Sequence, residues 1–185
     1  MIDIFTSIIY LTNIDMKTNS VFSLLLILIS TITLSSCGTS QQAAKADFYG
    51  LYSQKLGVTL TGKEDRELIK SMADWKGTPY KYASNTKKGT DCSGFVSSIY
   101  NEVYGKKLER SSYEMINDVE IINKKNLQAG DLLFFKLKGK KISHVGIYIA
   151  NNKFIHAETR TGVVITDLDK DYYKKGFYKA GRVKM

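Results

Sequence analysis

The chain has 185 residues, which is room for about one domain of ordinary size. Its content of 43% hydrophobic and 24% charged residues is typical of a globular protein and excludes a disordered, collagen-like or coiled-coil chain. The net charge of +9 favours an acidic partner, while one proline and two cysteines exclude a proline-rich linker and a disulfide-dense scaffold.

The N-terminal segment has the pattern of a secretory signal. A basic residue precedes an apolar run at 21–34, which is shorter than the roughly 18–20 residues of a membrane span and fits the apolar part of a signal peptide. The run ends in LSSCG, which resembles a bacterial lipobox, in which the cysteine is lipidated after cleavage; a buried or anchoring helix is the alternative. We therefore predict a signal region over residues 1–36, translation starting at Met16, and lipidation of Cys37.

The rest of the chain divides into a tether and one domain. Residues 37–46 are small and polar, which predicts a lipidated cysteine followed by a short tether, and residues 47–185 are predicted to form one folded domain. Lipidation of Cys37 would leave Cys92 as the only thiol of the mature chain, in a compartment where structural cysteines normally pair. Such a thiol is either buried and inert or chemically active.

Hydrophobic periodicity predicts helices first and strands second. The helices are expected at Lys63–Trp75 and Cys92–Tyr104, and a capping-box pattern at Ser111–Glu114 predicts a short third helix. The period then changes to two, which predicts successive antiparallel strands at Leu132–Lys136, His144–Ile149, Lys153–Ala157, Gly162–Thr166 and Phe177–Val183. This order predicts an α+β domain, with the helices packed on a roughly five-stranded antiparallel sheet.

Cys92 lies at the predicted start of the second helix, within TDCSGFV. The unpaired N–H groups and the positive end of the helix dipole would stabilise a thiolate there, and the thiolate is the nucleophilic form of cysteine. A cysteine at a helix start is also often only a small buried hydrophobic residue. This segment alone leaves both interpretations open.

The chain has two histidines, His144 and His156, and both fall in the predicted sheet. A base on a strand that faces a thiol at a helix tip is a nucleophile–base pair, which a third polar group orients. A zinc site formed by the two histidines and Cys92 is the alternative, although these residues have no local ligand-pair spacing.

The connection between the two histidine strands decides whether the rings share a face. A two-residue turn at Asn151-Asn152 would place His156 opposite Ile147 and the rings on opposite faces. One more residue in the loop places His156 opposite Gly146, on the face of His144 and diagonal to it, with Cα atoms about 7–8 Å apart. Asparagine tolerates the left-handed conformation of such loops, so we predict an odd-parity hairpin or a bulge.

Four sequence blocks together resemble the NlpC/P60 cell-wall peptidases. They are PYKYAS at 79–84, DCSGFV at 91–96, LQAGDLLFF at 127–135 and HVGIYIANNKFIHA at 144–157, in the order of the family. The resemblance covers roughly residues 60–182 and implies a papain-like fold without a metal or organic cofactor.

The resemblance also implies a role for each residue of the predicted site. Cys92 would be the nucleophile, His144 the general base and acid, and His156 the residue that orients His144. The implied reaction is acyl transfer to water through an acyl-enzyme.

Three further residues are expected around the nucleophile. The resemblance implies that Tyr80 lines the site near the oxyanion and that Asp91 and Ser93 hold the amino group of the substrate. Tyr80 could instead only pack, and Asp91 could only cap the helix. The family often has Gly-Gly where this chain has Ala83-Ser84, which leaves the shape of that loop open.

The expected function is that of a lipid-anchored cysteine endopeptidase of the cell envelope, on the outer membrane facing the periplasm in a Gram-negative cell. The expected substrate is an amide bond of peptidoglycan stem peptides or crosslinks; family members commonly cut at γ-D-glutamate, and some small lipoprotein members cut the D-alanyl crosslink. We expect a monomer with no nucleic-acid partner. A wall-binding lipoprotein without turnover and a thiol enzyme for another amide or ester are the alternatives.

Overall fold

A computed structural model describes the backbone of residues 36–185 and the side chains from residue 41 onward. The apolar run at 21–34 and the predicted start at Met16 lie outside the described residues, and Cys37 is described by its backbone only. Residues Ala46–Met185 form one compact unit. No helix within residues 36–185 is long and apolar enough to cross a membrane.

The described residues form four α-helices: α1 at Ser36–Leu56, α2 at Arg66–Trp75, α3 at Cys92–Tyr104 and α4 at Asp171–Gly176. The segment interpreted as a tether thus forms the first half of α1, whereas the division of the chain at residue 47 stays a prediction. Helix α2 begins later than predicted because the Asp65 carboxylate accepts from the Leu68 N–H at 2.8 Å and caps the helix there.

The capping box at Ser111 forms, but it opens a different helix type. The Ser111 hydroxyl accepts from the Glu114 N–H at 3.2 Å and donates to the Glu114 carboxylate at 2.6 Å. The chain continues as a 3₁₀-helix at Met115–Asp118 and then becomes a strand at Val119. The predicted short third helix is present as this 3₁₀-helix, since only four residues separate the turn from that strand.

Two short strands, β1 at Asn85–Thr86 and β2 at Gly89–Thr90, form a hairpin just before α3. The main sheet has six strands: β3 at Val119–Ile122, β4 at Leu132–Phe135, β5 at His144–Ala150, β6 at Lys153–Glu158, β7 at Gly162–Asp167 and β8 at Phe177–Val183. Their spatial order is β3-β8-β4-β5-β6-β7, and every neighbouring pair is antiparallel.

The sheet differs from the predicted meander in two ways. Strand β3 was missed because it is a short edge strand with exposed residues in its middle. Strand β8 does not follow β7 in space: α4 intervenes in the chain, and β8 pairs with β4 and β3. The α+β architecture with helices packed on an antiparallel sheet is confirmed.

The two faces of the sheet carry separate apolar clusters. Helices α2 and α3 pack on one face through buried residues such as Trp75 and Phe95, whose rings lie 5.9 Å apart. The other face carries a smaller cluster that includes Phe135, Phe154 and Tyr173 of α4. The candidate site lies where the start of α3 meets the start of β5.

Candidate active site

The fold places Cys92 at the first position of α3, with Asp91 as the capping residue. The Asp91 carboxylate accepts from the Gly94 N–H at 2.7 Å, which fixes the start of the helix. Gly94 is required here because a Cβ on it would lie 2.2 Å from the backbone oxygen of Ser84. Among residues with described side chains, Cys92 is the only cysteine, and its thiol is free and partly exposed.

Burial and the helix start act on the Cys92 thiol in opposite directions. Burial raises the pKa of the Cys92 thiol above its ordinary value, although the backbone N–H groups of Val145 and of the first residues of α3 act in the opposite direction. The predicted stabilisation by the helix start is therefore present but smaller than the cost of burying a charge. The resting sulfur is a neutral thiol, and its attack requires a base.

The two histidines form a hydrogen-bonded pair. His144 is the first residue of β5 and His156 lies in β6, and His144 Nε2 is 2.9 Å from His156 Nδ1. The two rings are nearly perpendicular, at 86°. Since Nε2 is used by this contact, Nδ1 is the His144 nitrogen that remains for a substrate or a thiol.

The hairpin achieves this pairing through a bulge. Asn151 and Asn152 form a two-residue turn with φ values of 48° and 61°, and the register shifts between Tyr148 and Ala150. Because of this shift, His156 lies across from Gly146 and on the same face of the sheet as His144. The predicted bulge is confirmed, although the turn itself has two residues.

A third polar group continues the hydrogen-bond chain. Thr166 of β7 places its Oγ1 at 3.0 Å from His156 Nε2. The sequence analysis missed Thr166 because the register of β6 against β7 has no local signal. In the structure, His156 pairs with Val164, which makes Thr166 its diagonal neighbour.

Aromatic rings surround the histidine pair and keep both imidazoles neutral. Phe154 stacks on His156 at 4.7 Å, and the Tyr173 ring lies 4.9 Å from the same imidazole. Burial lowers the pKa of His144 to about 4. Burial also lowers the pKa of His156, and the charges of His144 and Lys170 add to that effect.

Asp91 and Ser93 have an unexpected partner in Arg110. The guanidinium donates to both Asp91 carboxylate oxygens, at 3.0 and 2.7 Å, and to the Ser93 hydroxyl at 3.0 Å. The Asp91 side chain is 9% exposed and that of Arg110 47%, so the pair closes over the helix start. The role of Asp91 and Ser93 in holding a substrate amino group stays a prediction. Such an amino group would meet a carboxylate that is already ion-paired with Arg110.

Tyr80 lies beside Cys92, and both residues line the same two cavities. Burial raises the pKa of the Tyr80 phenol, and the nearby Cys92 and Asp91 add to this shift, so the phenol is neutral. In the loop that follows, Ala83 adopts φ 56°, a conformation that glycine reaches at lower cost. The loop therefore has a left-handed residue here even though this chain lacks glycine there.

Two cavities meet at Cys92. The larger has a volume of about 420 Å³ and is lined by His144 and the turn between β6 and β7. The smaller, of about 340 Å³, is lined by Asp91, Ser93 and Arg110. Tyr80, Cys92 and Ser143 belong to both, so an extended peptide could cross the sulfur from one cavity to the other.

The described part of the chain contains no group of three or more His, Cys, Asp or Glu side chains arranged to hold a metal ion. The zinc alternative needed Cys92 and both histidines as ligands. Here His144 Nε2 and both nitrogens of His156 are instead used by hydrogen bonds.

Comparison with known proteins identifies a family and several relatives. A family model described as NlpC/P60 family matches residues 77–182. The murein DD-endopeptidase MepS/murein LD-carboxypeptidase of Escherichia coli is 44% identical over 116 residues, which are 63% of this chain and 61% of that protein. The probable endopeptidase NlpC of Escherichia coli is 42% identical over 113 residues, covering 60% of this chain and 73% of that protein.

A solved structure extends the comparison to the fold. The crystal structure of an NlpC/P60 family protein from Bacillus cereus has a TM-score of 0.59 and 31% identity, over 63% of this chain and 39% of that one. This chain spans about three fifths of the length of the MepS relative. The family model covers more than half of the chain and includes Cys92 and both histidines. On this evidence, the chain belongs to the NlpC/P60 family.

Proposed function

We propose that this protein is a cysteine peptidase that hydrolyses amide bonds in peptidoglycan stem peptides or crosslinks through an acyl-enzyme on Cys92. The observation that carries the proposal is the hydrogen-bond chain from His144 through His156 to Thr166, which begins at the cavity that Cys92 lines. Cysteine peptidases need such a chain because the base must be held in one tautomer and one orientation.

The direction of the chain follows from the role of His144. Its Nδ1 must be unprotonated to accept the proton of Cys92, so Nε2 carries the hydrogen and donates to His156 Nδ1. His156 Nε2 then carries a hydrogen and donates to Thr166 Oγ1. Each residue fixes the tautomer of the one before it, as partners of a catalytic base do in other enzymes.

The reaction begins from two neutral groups. His144 Nδ1 takes the thiol proton as the sulfur attacks the amide carbonyl, and the tetrahedral intermediate collapses to a thioester while the imidazolium gives its proton to the leaving amine. Water, deprotonated by His144, then attacks the thioester and releases the thiol. A low pKa of His144 suits the acid step, because a weakly basic imidazole gives up its proton readily.

The backbone N–H of Cys92 and the phenol of Tyr80 are the proposed donors to the oxyanion. Both lie at the junction of the two cavities, where the carbonyl would sit. Such donors contribute much of the rate enhancement in acyl transfer.

We propose the peptide crosslink as the substrate in preference to the bond at γ-D-glutamate. One relative supports this choice, since MepS of Escherichia coli is named as a DD-endopeptidase and an LD-carboxypeptidase. The net charge of +9 would favour binding to an anionic wall polymer.

The proposed location is the cell envelope, with a lipid on Cys37 after removal of residues 1–36, on the outer membrane facing the periplasm in a Gram-negative cell. The lipobox-like LSSCG motif supports this part of the proposal. Mass spectrometry of the precursor and of the mature protein tests it: the expected mature chain starts at a lipidated Cys37 and the expected precursor at Met16. A Cys37→Ser protein that is still cleaved and membrane-bound would refute the anchor.

Digestion of purified sacculi tests the activity. The wild-type protein should release muropeptides with fewer crosslinks, and mass spectrometry of the products identifies the broken bond. Cys92→Ala should release none while melting at nearly the same temperature. Sacculus binding by the wild-type protein without any release would instead indicate a wall-binding protein.

A further inference from the structure

The two cavities at Cys92 differ in which part of the substrate they can hold. This inference rests on the proposed function, in which His144 protonates the leaving amine. His144 lines the 420 Å³ cavity and does not line the 340 Å³ cavity. The leaving group must therefore occupy the larger cavity and the acyl part the smaller one.

The wall of the larger cavity is strongly cationic. Lys138, Arg160 and Lys170 line it, and Glu158 is the only carboxylate among its lining residues. None of these three cations forms an ion pair with a carboxylate of residues 41–185. One carboxylate oxygen of Glu158 accepts a hydrogen bond from the Thr161 hydroxyl at 2.7 Å, which uses part of the hydrogen-bonding capacity of this carboxylate. Three unpaired cations around one cavity favour an anionic ligand.

Arg160 lines this cavity from a short turn. It lies between β6 and β7, where Glu158 pairs with Gly162. A Cβ on Gly162 would lie 2.2 Å from the Thr78 oxygen, and the Val163 N–H donates to that same oxygen at 2.8 Å. The turn is thus attached to the loop that leads to Tyr80, while the exposed guanidinium is available to solvent and substrate.

We propose that the larger cavity selects leaving groups with a free carboxylate on the carbon that bears the leaving nitrogen, and that Arg160 is the main residue that binds this carboxylate. A guanidinium binds a carboxylate through two parallel hydrogen bonds, which fixes its orientation as well as its position. Lys138 and Lys170 line the same cavity and add positive charge to it.

The proposal distinguishes between the two candidate bonds. At a D-alanyl crosslink to diaminopimelate, and at a C-terminal D-alanine, the carbon that bears the leaving nitrogen also carries a carboxyl group outside the peptide chain or at its end. At a D-alanyl crosslink to lysine, that carbon carries no carboxyl group. At the γ-D-glutamyl bond within a longer stem, the corresponding carboxyl is joined in an amide to the next residue and has no charge. The cationic cavity therefore favours crosslinks to diaminopimelate and C-terminal residues.

A pair of crosslinked stem-peptide dimers tests this selectivity. In one dimer the carboxyl beside the leaving nitrogen is free, and in the other it is a carboxamide. The wild-type enzyme should cleave the free acid with a kcat/KM about tenfold or more above that of the amide, as expected for one charge-assisted bidentate contact. Arg160→Gln should remove this preference by lowering kcat/KM for the free acid while leaving kcat/KM for the amide unchanged. Arg160→Lys should keep part of the preference. Lys107→Gln, which removes an exposed cation that lines neither cavity, should keep the full preference.

Binding to Cys92→Ala supplies a second readout that does not depend on turnover. The inactive protein should bind the free acid more tightly than the amide, and the added Arg160→Gln substitution should equalise the two affinities. Cleavage of both dimers at equal rates, or equal binding, would overturn the selectivity while leaving the proposed peptidase activity intact. Selective binding without any cleavage by the wild-type protein would instead refute the peptidase activity and keep the carboxylate site.

Discussion

Replacing His156 with alanine tests the orienting hydrogen bond at the centre of the site. The substitution removes the acceptor that lies 2.9 Å from His144 Nε2 and leaves that buried N–H without a partner. An unsatisfied buried donor costs about 1–3 kcal/mol. If this cost falls on the oriented state of His144, it corresponds to a loss of about 5- to 150-fold in kcat/KM.

A second substitution at the same position separates orientation from packing. The side-chain oxygen of His156→Gln can accept from His144, and its amide N–H can donate to Thr166, so this variant should keep more activity than His156→Ala. Ile155→Val, a change at a buried residue whose side chain points to the other face of the sheet, serves as the stability control. It should lower the free energy of unfolding by about 0.5–1.5 kcal/mol without changing kcat.

The assay is the initial rate on a soluble crosslinked stem-peptide dimer, with the free energy of unfolding measured in parallel. The expected order of activity is wild type, His156→Gln, His156→Ala. Equal activity of wild type and His156→Ala would refute the orienting role. If His156→Gln were as inactive as His156→Ala, a hydrogen-bond acceptor at this position would not be sufficient.

Three further predictions concern pH, a turn and an ion pair. The pKa of His144 is lowered from 6.5 to about 4, so the acid limb of the kcat/KM profile should lie near pH 4. The free energy of unfolding should fall by roughly 3 kcal/mol as the pH drops from above 6.5 to below 4, because only the unfolded state binds this proton readily. An acid limb at pH 6.5 would contradict this prediction. Gly162→Ala should lower the free energy of unfolding by about 1–3 kcal/mol more than the control Gly139→Ala. Both glycines have positive φ, but only a Cβ at position 162 would lie against the backbone of Thr78. Equal losses in the two variants would refute the close contact. Arg110→Ala should lower the free energy of unfolding by about 1–3 kcal/mol, because the buried Asp91 carboxylate loses its bidentate partner. A change below about 0.5 kcal/mol would show that the ion pair does not stabilise the fold.

Local patterns predicted the elements that carry the proposed catalytic residues. Helix α3 has the predicted bounds, because its capping aspartate, apolar face and terminal glycine all lie in one stretch of sequence. The bulge between β5 and β6 followed from two asparagines and the need to bring His144 and His156 to one face. The family resemblance rested on these same local blocks and is confirmed.

Contacts between distant segments had no such signal. The pairing of Arg110 with Asp91, and of Thr166 with His156, depends on how loops and strands meet in the folded domain. The return of β8 to β4 is likewise a long-range choice that strand periodicity does not encode. The raised pKa of the Cys92 thiol also depends on tertiary packing, because the extent of burial at a helix start has no local signal.

Trapping of the acyl-enzyme tests the central claim most directly. Rapid acid quenching of a single turnover, followed by mass spectrometry, should find the acyl half of the substrate attached to Cys92 as a thioester that neutral hydroxylamine removes. The same adduct should be absent from Cys92→Ala, which should also form no product. Product formation by Cys92→Ala, or an acyl group on another residue, would contradict the assignment of this sulfur as the nucleophile.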